Sequence, residues 1–88
     1  MKAVITVVGK DRPGILAFVS GKCASVSINI VDVTQKVLQD LFTMIMIVEI
    51  PENLRVPDVA TAFQEDGQKE GLQIQIMQED IFNAMHTI

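Results

Sequence analysis

The sequence has no tryptophan, no tyrosine, one cysteine and one histidine. A single thiol, Cys23, excludes an internal disulfide. With His86 as the only imidazole, a Cys/His zinc site cannot be assembled either, and no other metal or cofactor site is expected. No apolar run approaches the roughly 20 residues that span a bilayer, and Met44–Val48 has only the length of a buried strand. The N-terminal run Ala3–Val8 is too short for a secretory leader and has no small-residue cleavage site. A reducing cytoplasmic setting, without membrane attachment, is the expectation. Positive charge is also in deficit: 7 basic against 11 acidic residues give a net charge of −4. That balance repels a phosphate backbone and removes nucleic acid from the expected partners.

What is present is apolar and small. The 88 residues make one domain, 1–88, and 49% of them are hydrophobic, with four phenylalanines as the only aromatic side chains. A chain of this length buries a modest fraction of its surface and usually needs a further source of stability. Without disulfides or a structural metal, self-association remains, so a homodimer is expected.

Along the chain, Lys2–Val8 is β-branched and apolar and reads as a strand buried on both faces. It stops at Gly9-Lys10-Asp11-Arg12-Pro13-Gly14. In this strand-to-helix loop Asp11 is placed to cap free amides and Pro13 suits a first helical turn. Ile15, Phe18, Val19, Cys23 and Val26 then recur at helical spacing, with Gly21 as a weak point. Ile28–Leu38 is a strand whose alternation changes phase near Ile30 and Val31, which predicts a bulge. Gln39-Asp40 is a hairpin turn. Leu41–Ile50 is a strand apolar on both faces, ended by Pro51.

A second helix begins near Pro57 with Val59, Ala60 and Phe63 as its stripe. Gly67 weakens it and Gly71 ends it. Leu72–Ile76 alternates cleanly as a strand with one wet face, and Glu79 and Asp80 open a short last helix carrying Ile81, Phe82 and Met85.

Strand, helix, strand, strand, helix, strand with right-handed crossovers is the α+β ferredoxin-like βαββαβ sandwich. It is a four-stranded antiparallel sheet with two helices on one face. The other face is expected to be bare in a single chain, and its Met and Ile side chains predict a partner interface.

The loop after the first strand carries the most chemistry. An exposed helix N-terminus offers free N–H groups and a positive dipole end, which suit a ligand carboxylate. Asn29, expected nearby, can contact both an ammonium and a carboxylate. The bland alternative is a tight turn and a surface asparagine.

Gly9-Lys10-Asp11-Arg12-Pro13-Gly14-Ile15 followed by Ile28-Asn29-Ile30 resembles the ACT-domain pattern of strand, G-x-D-x-P-G-hydrophobic, helix and N-I strand start. Asp32-Val33-Thr34-Gln35, Phe42-Thr43-Met44-Ile45-Met46 and Ile81-Phe82-Asn83-Ala84-Met85-His86 resemble a family of small stand-alone prokaryotic ACT proteins. The resemblance covers essentially the whole chain. It departs from the usual pattern at Ser27 and Ile28, where a glycine is common, and at Cys23, where a leucine is usual. It implies side-by-side or stacked dimers and a small-molecule ligand, an amino acid, held at the interface. It maps the ligand loop onto Asp11, Arg12, Pro13, Gly14, Ile15 and Leu16, with Asn29 as polar partner.

Competing readings sit beside it. Cys23 on an apolar stripe reads as a buried structural thiol rather than a nucleophile. Met44, Met46, Met77 and Met85 read as core or interface rather than a metal box, and Met85-His86 makes no complete soft-metal site. Glu65, Asp66 and Glu70 near Lys69 read as a solvated face. Acylphosphatases share the fold and bind phosphate through an arginine in this loop. Pro13, however, removes an amide from such a cradle, and no catalytic pairing is evident, so no enzyme is expected. The remaining alternative is a protein-interaction module with a vestigial pocket, which regulates a partner enzyme without a ligand.

Overall fold

Val4, Ile5, Val7 and Val8 favour extended backbone because branching at Cβ restricts χ1. In the computed structural model they lie in the first strand, β1 (Lys2–Lys10). The structure describes residues 1–86, with side chains through Met85. After β1 come α1 (Ile15–Ser25), β2 (Asn29–Leu38), β3 (Leu41–Glu49), α2 (Val56–Lys69), β4 (Leu72–Gln78) and α3 (Glu79–His86). The strands form one antiparallel sheet in the order β2-β3-β1-β4. This is the βαββαβ sandwich expected from the sequence, with a short last helix.

Register separates the two faces. Ala3, Ile5 and Val7 of β1 stand opposite Val48, Met46 and Met44 of β3, and all six are buried. Ile15, Val19 and Cys23 of α1 and Val59 and Phe63 of α2 pack on them, with Leu72, Ile74 and Ile76 of β4. Fully burying one such aliphatic side chain is worth about 1.5–3 kcal/mol, so this single layer between helices and sheet holds most of the folding energy.

Several local expectations change. β1 is not buried on both faces: Thr6 is half-buried and Val8 is exposed. A bulge does fall between Ile30 and Asp32, but it keeps apolar residues on one face rather than moving them to the other. Ile30 and Val33 both pack against the core as a result. The second face is not bare. α3 turns back over it, in contact with β1 and β4, and Val4 is 1% exposed beneath Phe82 and Met85. None of the helices in the described residues is long and apolar enough to cross a membrane.

The glycines of the two main helices differ. A Cβ on Gly67 would lie 2.8 Å from Ile74 Cγ1 and 3.2 Å from the Leu72 carbonyl, so the missing side chain is what lets α2 settle on β4. A Cβ on Gly21 would meet nothing within 4 Å. Gly67→Ala is therefore expected to destabilise by about 1–3 kcal/mol through overpacking. Gly21→Ala is expected to stabilise by about 0.5–1 kcal/mol through helix propensity. Urea unfolding of the two variants checks both signs.

Candidate functional site

The loop predicted to hold a ligand is well determined by its own chemistry. The Asp11 N–H donates to the Asp40 carbonyl at 2.8 Å, which ties the end of β1 to the β2–β3 hairpin turn. Gly14 takes φ 90°, a left-handed conformation that disfavours any side chain, and serves as N-cap of α1. No side chain caps this helix, so Asp11 does not play the capping role the sequence suggested. Pro13 likewise lies before the helix rather than in its first turn. Asp11, Arg12, Pro13 and Gly14 are exposed, Ile15 is buried in the core, and Leu16 is 40% exposed beside the loop.

Arg12 reaches across to the far end of α2. Its Nη2 donates to Glu70 Oε1 at 2.9 Å and its Nη1 to the Pro13 carbonyl at 3.2 Å. Glu70 is the C-cap of α2, so the pair clasps the ligand loop to the turn before β4. Both side chains are more than a third exposed, so the clasp is worth no more than about 1 kcal/mol.

Asn29 is not near this loop. It pairs with Glu49, and Glu49 with Lys2, at the start of β1, whereas the loop follows Lys10 at its end. Eight residues of strand at about 3.3 Å each put the two some 26 Å apart within one chain. The structure thus brings Asp11, Arg12, Pro13, Gly14, Ile15 and Leu16 together and leaves Asn29 at the opposite end of the sheet.

Among the described residues, three of the pockets that open against the sheet are lined by neither the 11–16 loop nor Asn29. A trough of about 260 Å³ crosses the second face between Thr6, Val8, Thr34, Lys36, Thr43 and Ile45. A cleft of about 210 Å³ lies next to it under α3, walled by Val4, Ile45, Met77, Phe82 and Met85. The third, beside α2, is lined by Ala60, Gln64 and residues 74–77. The cleft depends on how α3 folds back, which no local sequence signal announces.

Between the two main helices sits an ionic pin that composition alone had placed on a wet surface. Lys22 of α1 lies 4.9 Å from the Phe63 ring centre and 5.9 Å from that of Phe18, and its ammonium pairs with Asp66 of α2. Hydrogen bonding to Lys22 and its positive charge hold the Asp66 carboxyl below its ordinary value. Cys23, fully buried beside it, has its thiol pushed up to about 11 by desolvation, with Lys22 opposing in part. A thiol so placed stays protonated and unreactive at neutral pH. Among the described residues no cluster of three or more His, Cys, Asp or Glu side chains is placed to hold a metal. The His86 side chain, and with it the Met85-His86 pair considered above, lies outside the described residues.

Loop, crossover helices and paired strands define a small βαββαβ module, and the chain belongs to the ACT-domain family, whose model matches residues 2–77. A UPF0237 protein of Clostridium acetobutylicum is 45% identical over the full length of both chains. An ACT domain protein from Streptococcus pneumoniae superposes with a TM-score of 0.85 at 44% identity, covering 98% of each chain. A putative glycine cleavage system transcriptional repressor matches 86% of this chain and 44% of its own, with a TM-score of 0.74 and 31% identity.

Because the Asp66 carboxyl is depressed in the folded state, its pairing stabilises the fold above the ordinary carboxylate value of about 3.9 and is lost as pH falls through the lower, folded value. Acidification from pH 5 is therefore expected to destabilise the wild type more steeply than Asp66→Asn. Thermal melts along an acid series check it, and parallel profiles would refute the role given to Lys22.

Proposed function

We propose that this chain is a non-catalytic regulatory module that binds an amino acid between two copies of itself. The observation that carries the reading is the separation of Asn29 from the 11–16 loop across the length of the sheet. A site that uses both needs two chains. β2 is a sheet edge with a free row of backbone donors and acceptors, which favours pairing with another strand.

Two β2 edges joined antiparallel set Asn29 of one copy opposite Leu38 of the other. Leu38 pairs with Leu41, and Leu41 with Lys10, so that asparagine would stand three strand spacings, about 14 Å, from the end of β1. Asp11 shortens the gap, because its amide already rests on Asp40 of the hairpin. A carboxylate is then suited to the uncapped start of α1 and to Arg12, with the partner copy's asparagine amide facing the ligand's polar groups.

Ligand and association are coupled in such a site. Binding at the interface stabilises the pair, and the pair raises the affinity. Kinship with a putative glycine cleavage system repressor favours an amino acid among small ligands. One observation favours the second reading, an interaction module with a vestigial pocket: the pockets described lie on the sheet and away from the loop.

A thermal-shift screen against the twenty amino acids, run with titration calorimetry on the responder, tests the proposal. One amino acid is expected to raise the melting temperature, and Asn29→Ala is expected to weaken its binding about tenfold, the loss of one polar contact. Amide exchange along the outer edge of β2 is expected to slow on ligand addition. Silence across all twenty would transfer the reading to the interaction module.

A further inference from the structure

We propose that the cleft under α3 is a second small-molecule site, distinct in its chemistry from the 11–16 loop. It suits a neutral molecule of one or two fused rings that carries a single hydrogen-bonding group. All of its walls come from one chain, so the inference is independent of the β2 edge and of any ligand held by the loop. The family match ends at residue 77, so the roof of the cleft, α3, lies beyond the matched segment.

Floor and roof come from different elements. Val4 and Thr6 of β1 stand opposite Met77 and Gln75 of β4, and Ile45 of β3 flanks Thr6 on its other side. Phe82 and Met85 of α3 close the cleft from above. Well-packed interiors leave few voids larger than a water. Here about 210 Å³ stays open between helix and sheet. A dry cavity of about 150 Å³ takes benzene, so this space has room for a molecule the size of indole. The roof is loosely covered, with Met85 65% exposed and Phe82 half-buried. A guest lying over Val4 gives both side chains a surface to pack on. Thioether and ring walls favour a flat guest, because each makes good contacts with an aromatic ring.

Polarity narrows the guest further. No charged side chain lines the cleft. An ionised group placed there would lose water and gain no counter-charge, which excludes the zwitterion suited to the loop. Two polar side chains do reach it. Thr6 and Gln75 are direct cross-strand partners, which sets their Cβ atoms about 5 Å apart. Neither side chain is hydrogen-bonded to another described residue. Together they hold hydroxyl and amide donors and acceptors at one point of an otherwise apolar wall. A mostly apolar lining with a few placed polar groups is the usual make-up of a ligand site.

Titration of the full chain with indole, followed by NMR of methionine methyls and backbone amides, tests the proposal. Saturable ring-current shifts are expected at the Met77 and Met85 methyls and at the Val4, Thr6 and Gln75 amides. Met44 and Met46, buried under the main helices, are expected to stay still. Indene, the same shape without the N–H, is expected to bind about tenfold more weakly, the loss of one hydrogen bond. Thr6→Val combined with Gln75→Met, two changes outside the helix-facing core, is expected to erase that difference. Should the double variant fail to fold, the wild-type ratio of indole to indene alone decides. The absence of a saturable shift with indole overturns the proposal. So do shifts that spread to Met44 and Met46 or gather at the 11–16 loop, and so does equal binding of indole and indene by the wild type.

Discussion

The pairing of β1 with β3 on one side and β4 on the other constrains everything else in the molecule. Its register puts Ala3, Ile5 and Val7 in line with Val48, Met46 and Met44, and that line is the floor on which both main helices rest. A slip by one residue would turn each of these side chains to the opposite face. The same register fixes where function can lie. It sets the loop after β1 and the start of β2 at opposite ends of the sheet, so no side-chain motion within one chain can unite them.

The helix layer is held by different means from the sheet. α1 and α2 converge on Lys22, whose stem lies among the rings of Phe18 and Phe63 while its charge meets Asp66. An amphipathic side chain of this kind seals the outer seam of a core by covering apolar surface and presenting a charge to water. At this same C-terminal end of α2 the close fit of Gly67 on Ile74 and the Arg12–Glu70 clasp set how α2 meets β4 and the ligand loop. The loop is thereby tied to both helices and to the hairpin, although each tie is small.

Much of the fold was legible in the sequence because its signals are periodic. The stripe Ile15, Val19, Cys23 and the alternation of Phe42 through Val48 report their faces directly, and all of these residues are buried. Signals that depend on pairs distant in sequence were not legible. Asp66 and Glu70 looked like solvated acids because their partners, Lys22 and Arg12, lie 44 and 58 residues away. Gly67 looked like a helix fault because the Ile74 side chain beneath it comes from another element. α3 reads as an amphipathic helix, but nothing local says that it folds back over Val4 rather than away. For the candidate site, the loop residues were legible as a group from their turn chemistry. The place of Asn29 was not, since it depends on strand order, which single-residue patterns leave open.

The bulge between Ile30 and Asp32 has a consequence for assembly. It divides β2 into a kinked start and a regular remainder, so the strand is not the same read from its two ends. A neighbouring strand can lie flush against the regular stretch from Val33 to Leu38, whereas at the start it has to accommodate one extra residue. The edge is thus keyed: it offers a matching chain one polarity and one alignment, and offers a sticky foreign strand a shorter landing than its length implies.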